Sequence, residues 1–262
     1  MILEARGLTK NFGGIKALNG VDLYLRRGEL AGLIGPNGSG KTTVFNVITG
    51  IYRPDRGTVN MDANRIAGLA PHRISRLGIA RTFQNIRLFR NLSVMDNVRA
   101  AYHPSVPYGP VSAVCRTNRY LDGEKAIGEN VTELLSFFSL QDRRLEHAKN
   151  LSYGDQRRLE IARALASGPK ILLLDEPAAG MNHSEVEKLM GFILEARKRF
   201  SLTILLIEHQ MRLVMGICER LVVMDFGEVI AEGTPAEIRK DPRVIEAYLG
   251  HRPAGDTSEV RD

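Results

Sequence analysis

A nine-residue stretch, GPNGSGKTT at 35–43, constrains what this chain can fold into more than any other feature of its sequence. It matches the pattern G-x-x-x-x-G-K-[ST], in which glycines let backbone N–H groups turn inward around phosphate oxygens. That pattern requires a strand before it and a helix after it. Here the apolar run LAGLIG at 30–35 precedes the stretch, and Val44, Val47 and Ile48 follow it at helical spacing. The sequence therefore predicts a strand, a phosphate-binding loop and a helix in succession.

Two side chains of this loop are suited to the triphosphate of a nucleotide. The ammonium of Lys41 is expected to reach the β- and γ-phosphates, and the hydroxyl of Thr42 is expected to ligate Mg²⁺. We predict that the whole loop binds the nucleotide, namely Gly35, Pro36, Asn37, Gly38, Ser39, Gly40, Lys41, Thr42 and Thr43. The alternative is a glycine-rich turn with an exposed lysine, and the predicted strand and helix on either side argue against it.

Polar side chains end two more apolar runs. The run ILLLDE at 171–176 is typical of a buried strand, and it ends in Asp175 and Glu176. The first carboxylate can hold Mg²⁺ directly or through water, and the second can orient or deprotonate a water molecule. His209 ends the run LTILLIEH at 202–209, at what we expect to be the same sheet edge, where open α/β sheets bind ligands. Together these residues predict a site for phosphoryl transfer.

Strands that alternate with helical patterns predict an α/β fold with a mostly parallel sheet covered on both faces. One helix is predicted from a single apolar stripe, which comprises Val186, Leu189, Met190, Ile193 and Leu194. We expect Ser184 and Glu187 to form a capping box at its start. The segment at 220–233 differs, because two β-rich runs flank Asp225-Phe226-Gly227, a turn that predicts a hairpin.

The middle of the chain breaks this alternation. The uncharged segment at 100–115 holds Pro104, Pro107 and Pro110, so a regular helix cannot run through all of it. A second helical stripe follows, formed by Ile127, Val131, Leu134, Leu135 and Phe138. The region therefore predicts a mainly helical insertion in an α/β core.

These patterns divide the chain into three parts. The α/β core is predicted at 1–87 and 161–250, and the helical insertion at 88–160. The last residues, at 251–262, are polar and include Pro and Gly, so we expect a flexible tail.

Composition narrows the classes of function. The 262 residues include no apolar stretch of 18 or more that would predict a membrane span, and the first residues lack the apolar segment of a secretory signal. Cys115 and Cys218 fit no metal or redox spacing, which favours a reducing cytosol. The net charge is +6, but no platform of basic and aromatic side chains appears and tryptophan is absent. A nucleic-acid partner is therefore not expected.

Six features occur in a characteristic order and spacing, namely Phe12, GPNGSGKTT, Gln84, LSYGDQ at 151–156, ILLLDE and His209. With them, residues 1 to about 250 resemble the ATPase subunits of ABC transporters. More narrowly, GIARTFQNIRLF, NLSYGDQRRLEIARAL, DEPAAGMN and VIEAYLG resemble one of the two ATPases of branched-chain amino acid importers. The resemblance implies a P-loop NTPase (RecA-like) fold, in which an α/β ATP-binding core contains a helical signature subdomain and an antiparallel β region.

The resemblance also implies roles at single positions. Phe12 is expected to stack on the adenine of ATP, and Lys41 to contact phosphate as part of the catalytic set. Thr42, Gln84 and Asp175 are expected to serve Mg²⁺ and its waters. ATP and Mg²⁺ are therefore the implied cofactors of a Mg²⁺-dependent ATP hydrolase.

Catalysis and closure are assigned to other positions. Glu176 is the implied catalytic base, and His209 is expected to contact the γ-phosphate. The segment LSYGDQ is similar to the family's signature loop, commonly Leu-Ser-Gly-Gly-Gln. By this resemblance two subunits pack head to tail, and Ser152 and Gly154 of one close over the ATP held by Lys41 of the other. Two phosphate-reading loops then serve one nucleotide.

The sequence departs from the family pattern at three positions. Tyr153 and Asp155 differ from the common signature loop, and Asp155 places a negative charge near the expected triphosphate. Asn182 stands where many family members have aspartate, which leaves signalling across the dimer open.

The resemblance implies partners as well. They are a second ATPase subunit, expected to be a paralogue, two transmembrane permease subunits and, indirectly, a periplasmic or extracellular solute-binding protein. The chain is then expected as a peripheral protein on the cytoplasmic face of the inner membrane. Two alternatives stay open, the ATPase of another ABC system such as lipopolysaccharide export, and a non-transport ATPase working on DNA or ribosomes. The single GKTT motif and the absence of long heptad runs argue against the second.

Overall fold

The computed structural model describes residues 1–102 and 108–249. The strands in this part of the chain are β1 (Leu3–Phe12), β2 (Ile15–Leu25), β3 (Leu30–Ile34), β4 (Arg56–Met61), β5 (Asn64–Arg65), β6 (Ile79–Arg81), β7 (Ile171–Asp175), β8 (Thr203–Ile207), β9 (Arg220–Asp225) and β10 (Glu228–Gly233). The α-helices are α1 (Lys41–Ile48), α2 (Pro71–Arg76), α3 (Val94–Ala101), α4 (Pro110–Val114), α5 (Asn118–Phe137), α6 (Tyr153–Leu165), α7 (His183–Arg199), α8 (Met211–Ile217), α9 (Pro235–Ile238) and α10 (Pro242–Leu249).

The central sheet has six strands in the order β10-β9-β3-β8-β7-β6. All neighbouring pairs are parallel except β9 and β10, which form the predicted hairpin. Successive residues of β7 alternate between two buried apolar clusters, with Ile171 and Leu173 in one and Leu172 and Leu174 in the other. Since side chains alternate across a strand, both faces of the sheet are covered, as the unbroken apolar runs predict.

A separate four-stranded sheet lies beside α1. Its strands run in the order β2-β1-β4-β5 and its pairs are antiparallel. Apolar side chains of this sheet share a buried cluster with Val44, Phe45 and Ile48 of α1. The predicted α/β fold with an antiparallel β region is confirmed.

Four helices, α3 to α6, lie between β6 and β7 in the chain. The apolar stripe predicted there is buried in full, at Ile127, Val131, Leu134, Leu135 and Phe138. Residues 103–107, which include Pro104 and Pro107, and the predicted flexible tail at 251–262 lie outside the described residues.

The start of α7 differs from the sequence prediction. The capping box is formed by Asn182 and Glu185, and not by Ser184 and Glu187. Asn182 has an extended backbone, and its side chain accepts a hydrogen bond from the Glu185 N–H at 3.0 Å. The Glu185 carboxylate in turn accepts from the Asn182 N–H at 2.9 Å. An asparagine is a strong helix N-cap, so it begins the helix ahead of the serine two residues later.

The parallel strands end at one edge of the central sheet. The phosphate loop follows β3, Gln84 comes three residues after β6, Glu176 follows β7 and His209 follows β8 two residues on. The sheet therefore brings four separate segments together at its carboxyl edge. No described helix is both long enough and apolar enough to cross a membrane.

Candidate nucleotide-binding site

The phosphate loop is shaped by glycines that no other residue could replace without strain. Gly35 and Gly40 have φ of 146° and 103°, a region that favours glycine. A Cβ on Gly35 would lie 2.0 Å from the Met224 carbonyl oxygen, and one on Gly40 would lie 2.5 Å from the Ala17 carbonyl oxygen. The loop is thus packed directly against backbone from β9 and β2, and its turn is fixed by these contacts.

Lys41 begins α1 and is buried inside the loop. Its Nζ donates to the carbonyl oxygens of Gly35 at 2.8 Å and Pro36 at 2.7 Å. Burial lowers the pKa of the Lys41 ammonium below its ordinary value, and the nearby carboxylates of Glu176 and Asp175 oppose that shift. The loop therefore holds one cation at its centre, near the carboxylate that ends β7 and the one that follows it.

Asp175 is buried and pairs with an arginine that the sequence analysis did not single out. Its Oδ2 accepts from Arg81 Nη2 at 2.6 Å, and both side chains are almost wholly buried. The other terminal nitrogen of Arg81 donates to Asn46 Oδ1 of α1 at 2.6 Å. Arg81 therefore links β7 to the helix that follows the phosphate loop. The sequence feature that could have indicated Arg81 is a charged residue at the end of the short strand β6.

Two predicted site residues, Gln84 and His209, both contact the carboxylate of a third, Glu176. Glu176 Oε2 accepts from Gln84 Nε2 at 2.7 Å, and Glu176 Oε1 lies 3.0 Å from His209 Nε2. The backbone of Glu176 has φ of 46°, a strained conformation for a residue with a side chain. Such strain is typical of functional positions, and here it aims the carboxylate between the two neighbouring loops.

A second residue missed by the sequence analysis organises the same edge. Glu208 is buried, and its Oε1 accepts from the Ala178 N–H at 2.7 Å. Its Oε2 accepts from the N–H groups of His209 at 2.9 Å and Gln210 at 3.1 Å. One carboxylate thus fixes the loop after Glu176 to the loop that presents His209. A charged residue within the apolar run LTILLIEH was the available signal.

The residues predicted for Mg²⁺ offer oxygen atoms only. Thr42 is exposed at the second position of α1. The Gln84 amide nitrogen binds Glu176, and its amide oxygen has no hydrogen bond to any described residue. Asp175 uses one carboxylate oxygen for Arg81, which leaves the other without a hydrogen bond among the described residues. Within residues 1–102 and 108–249 no cluster of three or more His, Cys, Asp or Glu could hold a metal alone. This set fits Mg²⁺, which binds few carboxylates and relies on phosphates and water.

Phe12 lies at the end of β1 and keeps 42% of its surface exposed. Its ring meets the Tyr52 ring edge to face, with centroids 5.0 Å apart, and Lys10 Nζ lies 5.5 Å from its centroid. Part of an aromatic ring is therefore exposed beside the antiparallel sheet, as a stacking role requires.

The signature loop forms the start of α6. Ser152 is the N-cap of this helix, and its exposed hydroxyl accepts from the Asp155 N–H at 3.2 Å. Asp155 is buried and pairs with Arg158 and, at 3.2 Å, with Arg143. The charge expected to oppose a triphosphate is therefore balanced by two arginines. A Cβ on the buried Gly154 would lie 3.1 Å from the Glu185 carboxylate of α7.

The structure does not bring the two phosphate-reading loops together. Among the described residues, no hydrogen bond or ion pair joins Ser152 or Gly154 to the loop that holds Lys41. Five of the other predicted residues do converge. Lys41, Gln84, Asp175, Glu176 and His209 share one edge of the sheet.

A parallel sheet, a glycine-rich loop leading into a helix and paired carboxylates after a neighbouring strand define a P-loop NTPase. The sequence profile of the ABC transporter family matches residues 18–179, and that of the branched-chain amino acid ATP-binding cassette transporters matches residues 228–254. The chain belongs to the ABC transporter family. It is the nucleotide-binding, ATP-hydrolysing component of such a transporter.

Curated relatives agree with this assignment. The high-affinity branched-chain amino acid transport ATP-binding protein LivG of Salmonella typhimurium is 46% identical over 249 residues, covering 95% of this chain and 98% of LivG. The corresponding protein BraF of Pseudomonas aeruginosa is 44% identical, with 95% and 98% covered.

Solved structures agree as well. The ADP conformation of an ATP-binding cassette of an ABC transporter is 32% identical and superposes with a TM-score of 0.82, covering 95% of this chain and 98% of that one. A cassette solved as a dimer in a post-hydrolysis state, bound to ADP and Pi, is 25% identical, with a TM-score of 0.76 over 89% of this chain and 99% of its own.

Proposed function

We propose that this chain drives an importer of branched-chain amino acids by hydrolysing ATP. The observation that carries the substrate class is the match of residues 228–254 to the branched-chain profile, together with relatives of nearly equal length named for that transport. The observation that carries the hydrolytic role is the carboxylate of Glu176, held between Gln84 and His209.

Nucleotide binding is assigned to the carboxyl edge of the sheet. Lys41 and the loop at 35–43 hold the phosphates, and Phe12 stacks on the adenine. Thr42, Gln84 and Asp175 hold Mg²⁺, which neutralises phosphate charge when bound. Arg81 keeps the buried Asp175 paired on its other oxygen.

Hydrolysis is assigned to three side chains. Glu176 acts as the general base that takes a proton from the attacking water. Gln84 orients that carboxylate from one side and His209 from the other, and His209 also contacts the γ-phosphate. Their hydrogen bonds of 2.7 and 3.0 Å to Glu176 support this arrangement, because a general base must be held in a fixed position to orient the attacking water molecule.

The signature loop is assigned to a second ATPase subunit's nucleotide. Ser152 is exposed, and no hydrogen bond or ion pair joins it to the chain's own phosphate loop within residues 1–102 and 108–249. Two subunits packed head to tail would place Ser152 and Gly154 over the ATP held by the partner's phosphate loop. The partner in the working complex is proposed to be a paralogue.

The permease is proposed to contact the helical subdomain at 88–160 next to the core at 1–87 and 161–250. The segment from Asn85 to Arg90 leads from Gln84 into that subdomain, and Phe89 exposes 54% of its surface there. An exposed aromatic flanked by arginines suits docking to another protein. Two permease subunits, reached by an external solute-binding protein, would place this chain peripherally at the cytoplasmic face of the membrane.

The experiment is solute uptake in the native cell. Deleting the gene is expected to abolish high-affinity uptake of leucine, isoleucine and valine, while lysine uptake serves as the control. The intact gene restores uptake, and a gene encoding Glu176→Gln does not, because transport requires hydrolysis. Unchanged uptake of all three branched-chain amino acids in the deletion strain would contradict the proposed substrate class.

A further inference from the structure

A buried ion pair on α6 has no role in the nucleotide chemistry described above. Arg157 and Glu160 lie one helical turn apart, and Arg157 Nη1 donates to Glu160 Oε2 at 2.9 Å. Their side chains are 1% and 2% exposed. Further hydrogen bonds help to stabilise a buried ion pair, and here they come from Arg157 Nη1 and Nη2 and from Glu160, while Arg157 Nε has no partner among the described residues.

Those partners are backbone groups of the segment that carries Gln84. Arg157 Nη1 donates to the Phe83 carbonyl at 2.6 Å, and Nη2 donates to the Gln84 carbonyl. Glu160 Oε1 accepts from the N–H groups of Phe83 at 3.4 Å and Arg87 at 3.3 Å. The backbone on both sides of Gln84 is thus bound to one turn of one helix.

The same helix begins at the signature loop. Ser152 is its N-cap, and the eight residues from there to Glu160 span about 12 Å of helix. From Gln156 onward the backbone N–H groups of this span donate to carbonyl groups one turn earlier, the first of them to Ser152 at 2.9 Å. The two ends of the span therefore cannot move far independently. A displacement of the Gln84 backbone must therefore either break hydrogen bonds to charged groups or move α6.

Tyr153 extends the connection. Its hydroxyl accepts from Arg157 Nη2 at 3.2 Å. Its ring lies against Gly180, where a Cβ would meet the ring carbons at 3.5 and 3.7 Å. Tyr153, which departs from the common signature pattern, thus joins the ion pair to the loop that follows Glu176. A glycine in its place would lack both contacts.

We propose that Arg157 and Glu160 are positioning residues that lock the Gln84 segment to the signature helix. Displacement of Gln84 on nucleotide binding is then transmitted to Ser152 through α6 as a rigid body. This inference rests on the proposed function, because Gln84 must respond to the bound nucleotide. Neither residue touches the nucleotide in this account.

The test uses hydrogen exchange on the full chain at a concentration where it stays monomeric. The parent has Glu176→Gln, so that ATP is bound without being consumed. The test variant adds Arg157→Met and Glu160→Met, which removes both charges and leaves no buried charge unpaired. The matched control adds Glu133→Met and Arg199→Met instead, which removes an exposed ion pair between α5 and α7 with an N–O distance of 2.5 Å.

ATP affinity is measured first by fluorescence titration, since loss of binding in the parent contradicts the proposed function and, with it, this inference. In the parent and the control, ATP is expected to change exchange both in residues 79–90 and in residues 150–158. In the test variant the first change is expected to remain and the second to be lost. A test variant that keeps both changes would overturn the proposal, and so would a parent that responds only in residues 79–90.

A second variant keeps the proposal testable if the first one does not fold. If the double methionine variant fails to fold, Arg157→Lys replaces it, because a single ammonium cannot reproduce the bidentate guanidinium contacts to Phe83 and Gln84. ATP-induced change at residues 150–158 is then expected to be reduced, with ATP affinity unchanged. Full retention of that change in Arg157→Lys would overturn the proposal.

Discussion

The phosphate loop and the signature loop are both polar turns that lead into a helix N-terminus, yet they enclose buried side chains of opposite charge. The phosphate loop encloses Lys41, a buried cation bound to the loop's own carbonyl oxygens. The signature loop encloses Asp155, a buried anion bound to Arg143 and Arg158. Only the first loop keeps a cation whose hydrogen bonds are to neutral groups.

The difference indicates what each loop can do alone. A triphosphate needs positive charge, and the Lys41 ammonium can exchange carbonyl oxygens for phosphate oxygens. The signature loop presents an exposed hydroxyl at Ser152 and a helix N-terminus, while its arginines are occupied by Asp155. Such a loop suits a nucleotide that is already bound elsewhere, and we propose that this nucleotide is bound to a second subunit.

Glu176→Gln is expected to have the largest effect, because it stops the chemistry while leaving both loops intact. A general base contributes about 10²–10⁴-fold in rate, so turnover in the assembled transporter should fall by that factor. ATP should still bind through Lys41, and closed pairs should accumulate with ATP but not with ADP in size-exclusion chromatography. Near-normal hydrolysis by the variant would show that Glu176 is not the base.

Lys41→Ala tests the role of the phosphate loop in binding ATP. Loss of its charge-assisted hydrogen bonds should weaken ATP binding by about 100-fold in the isolated chain. Fluorescence titration measures the dissociation constant, and Lys125→Ala on the exposed face of α5 serves as the matched control. An unchanged dissociation constant in Lys41→Ala would break the assignment of this loop.

Ser152→Ala should have the smallest effect on the isolated chain. It removes the N-cap of α6, which should cost about 1 kcal/mol in the free energy of unfolding and lower the melting temperature by roughly 2–4 °C. ATP affinity should not change, because this loop does not serve the chain's own nucleotide. Ser152→Thr should preserve the cap, and a weakened ATP affinity in Ser152→Ala would argue for a role within the same chain.

Sequence patterns predicted most of the fold and the residues of the phosphate loop at 35–43. The apolar runs at 30–35, 171–176 and 202–209 became β3, β7 and β8 because unbroken aliphatic runs suit a sheet buried on both faces. The meeting of Glu176 with His209 followed from strand order, since parallel strands end at one edge.

Arg81, Arg157 and Glu208 escaped prediction for a shared physical reason. Each is a charged residue whose side chain is buried, and its importance depends on partners far away in the chain. Arg81 binds Asp175 across 94 positions, and Arg157 binds the Phe83 carbonyl across 74. Local spacing gives no information about such contacts. The prediction of the α7 capping box was wrong for a different reason. Asn182 with Glu185 and Ser184 with Glu187 both match the pattern, and the helix begins at the earlier of the two caps.

The most direct test of the two-loop account uses mixed dimers of this chain that combine Lys41→Ala with Ser152→Arg, purified through two different tags. When the two changes are on different subunits, a shared head-to-tail arrangement keeps one site intact, so about half of the wild-type hydrolysis is expected. When both changes are on one subunit and the other is wild type, both shared sites are damaged and hydrolysis should be lost. The reverse pattern, with activity only when both changes are on one subunit, would show that Ser152 serves its own chain's ATP and would contradict the account.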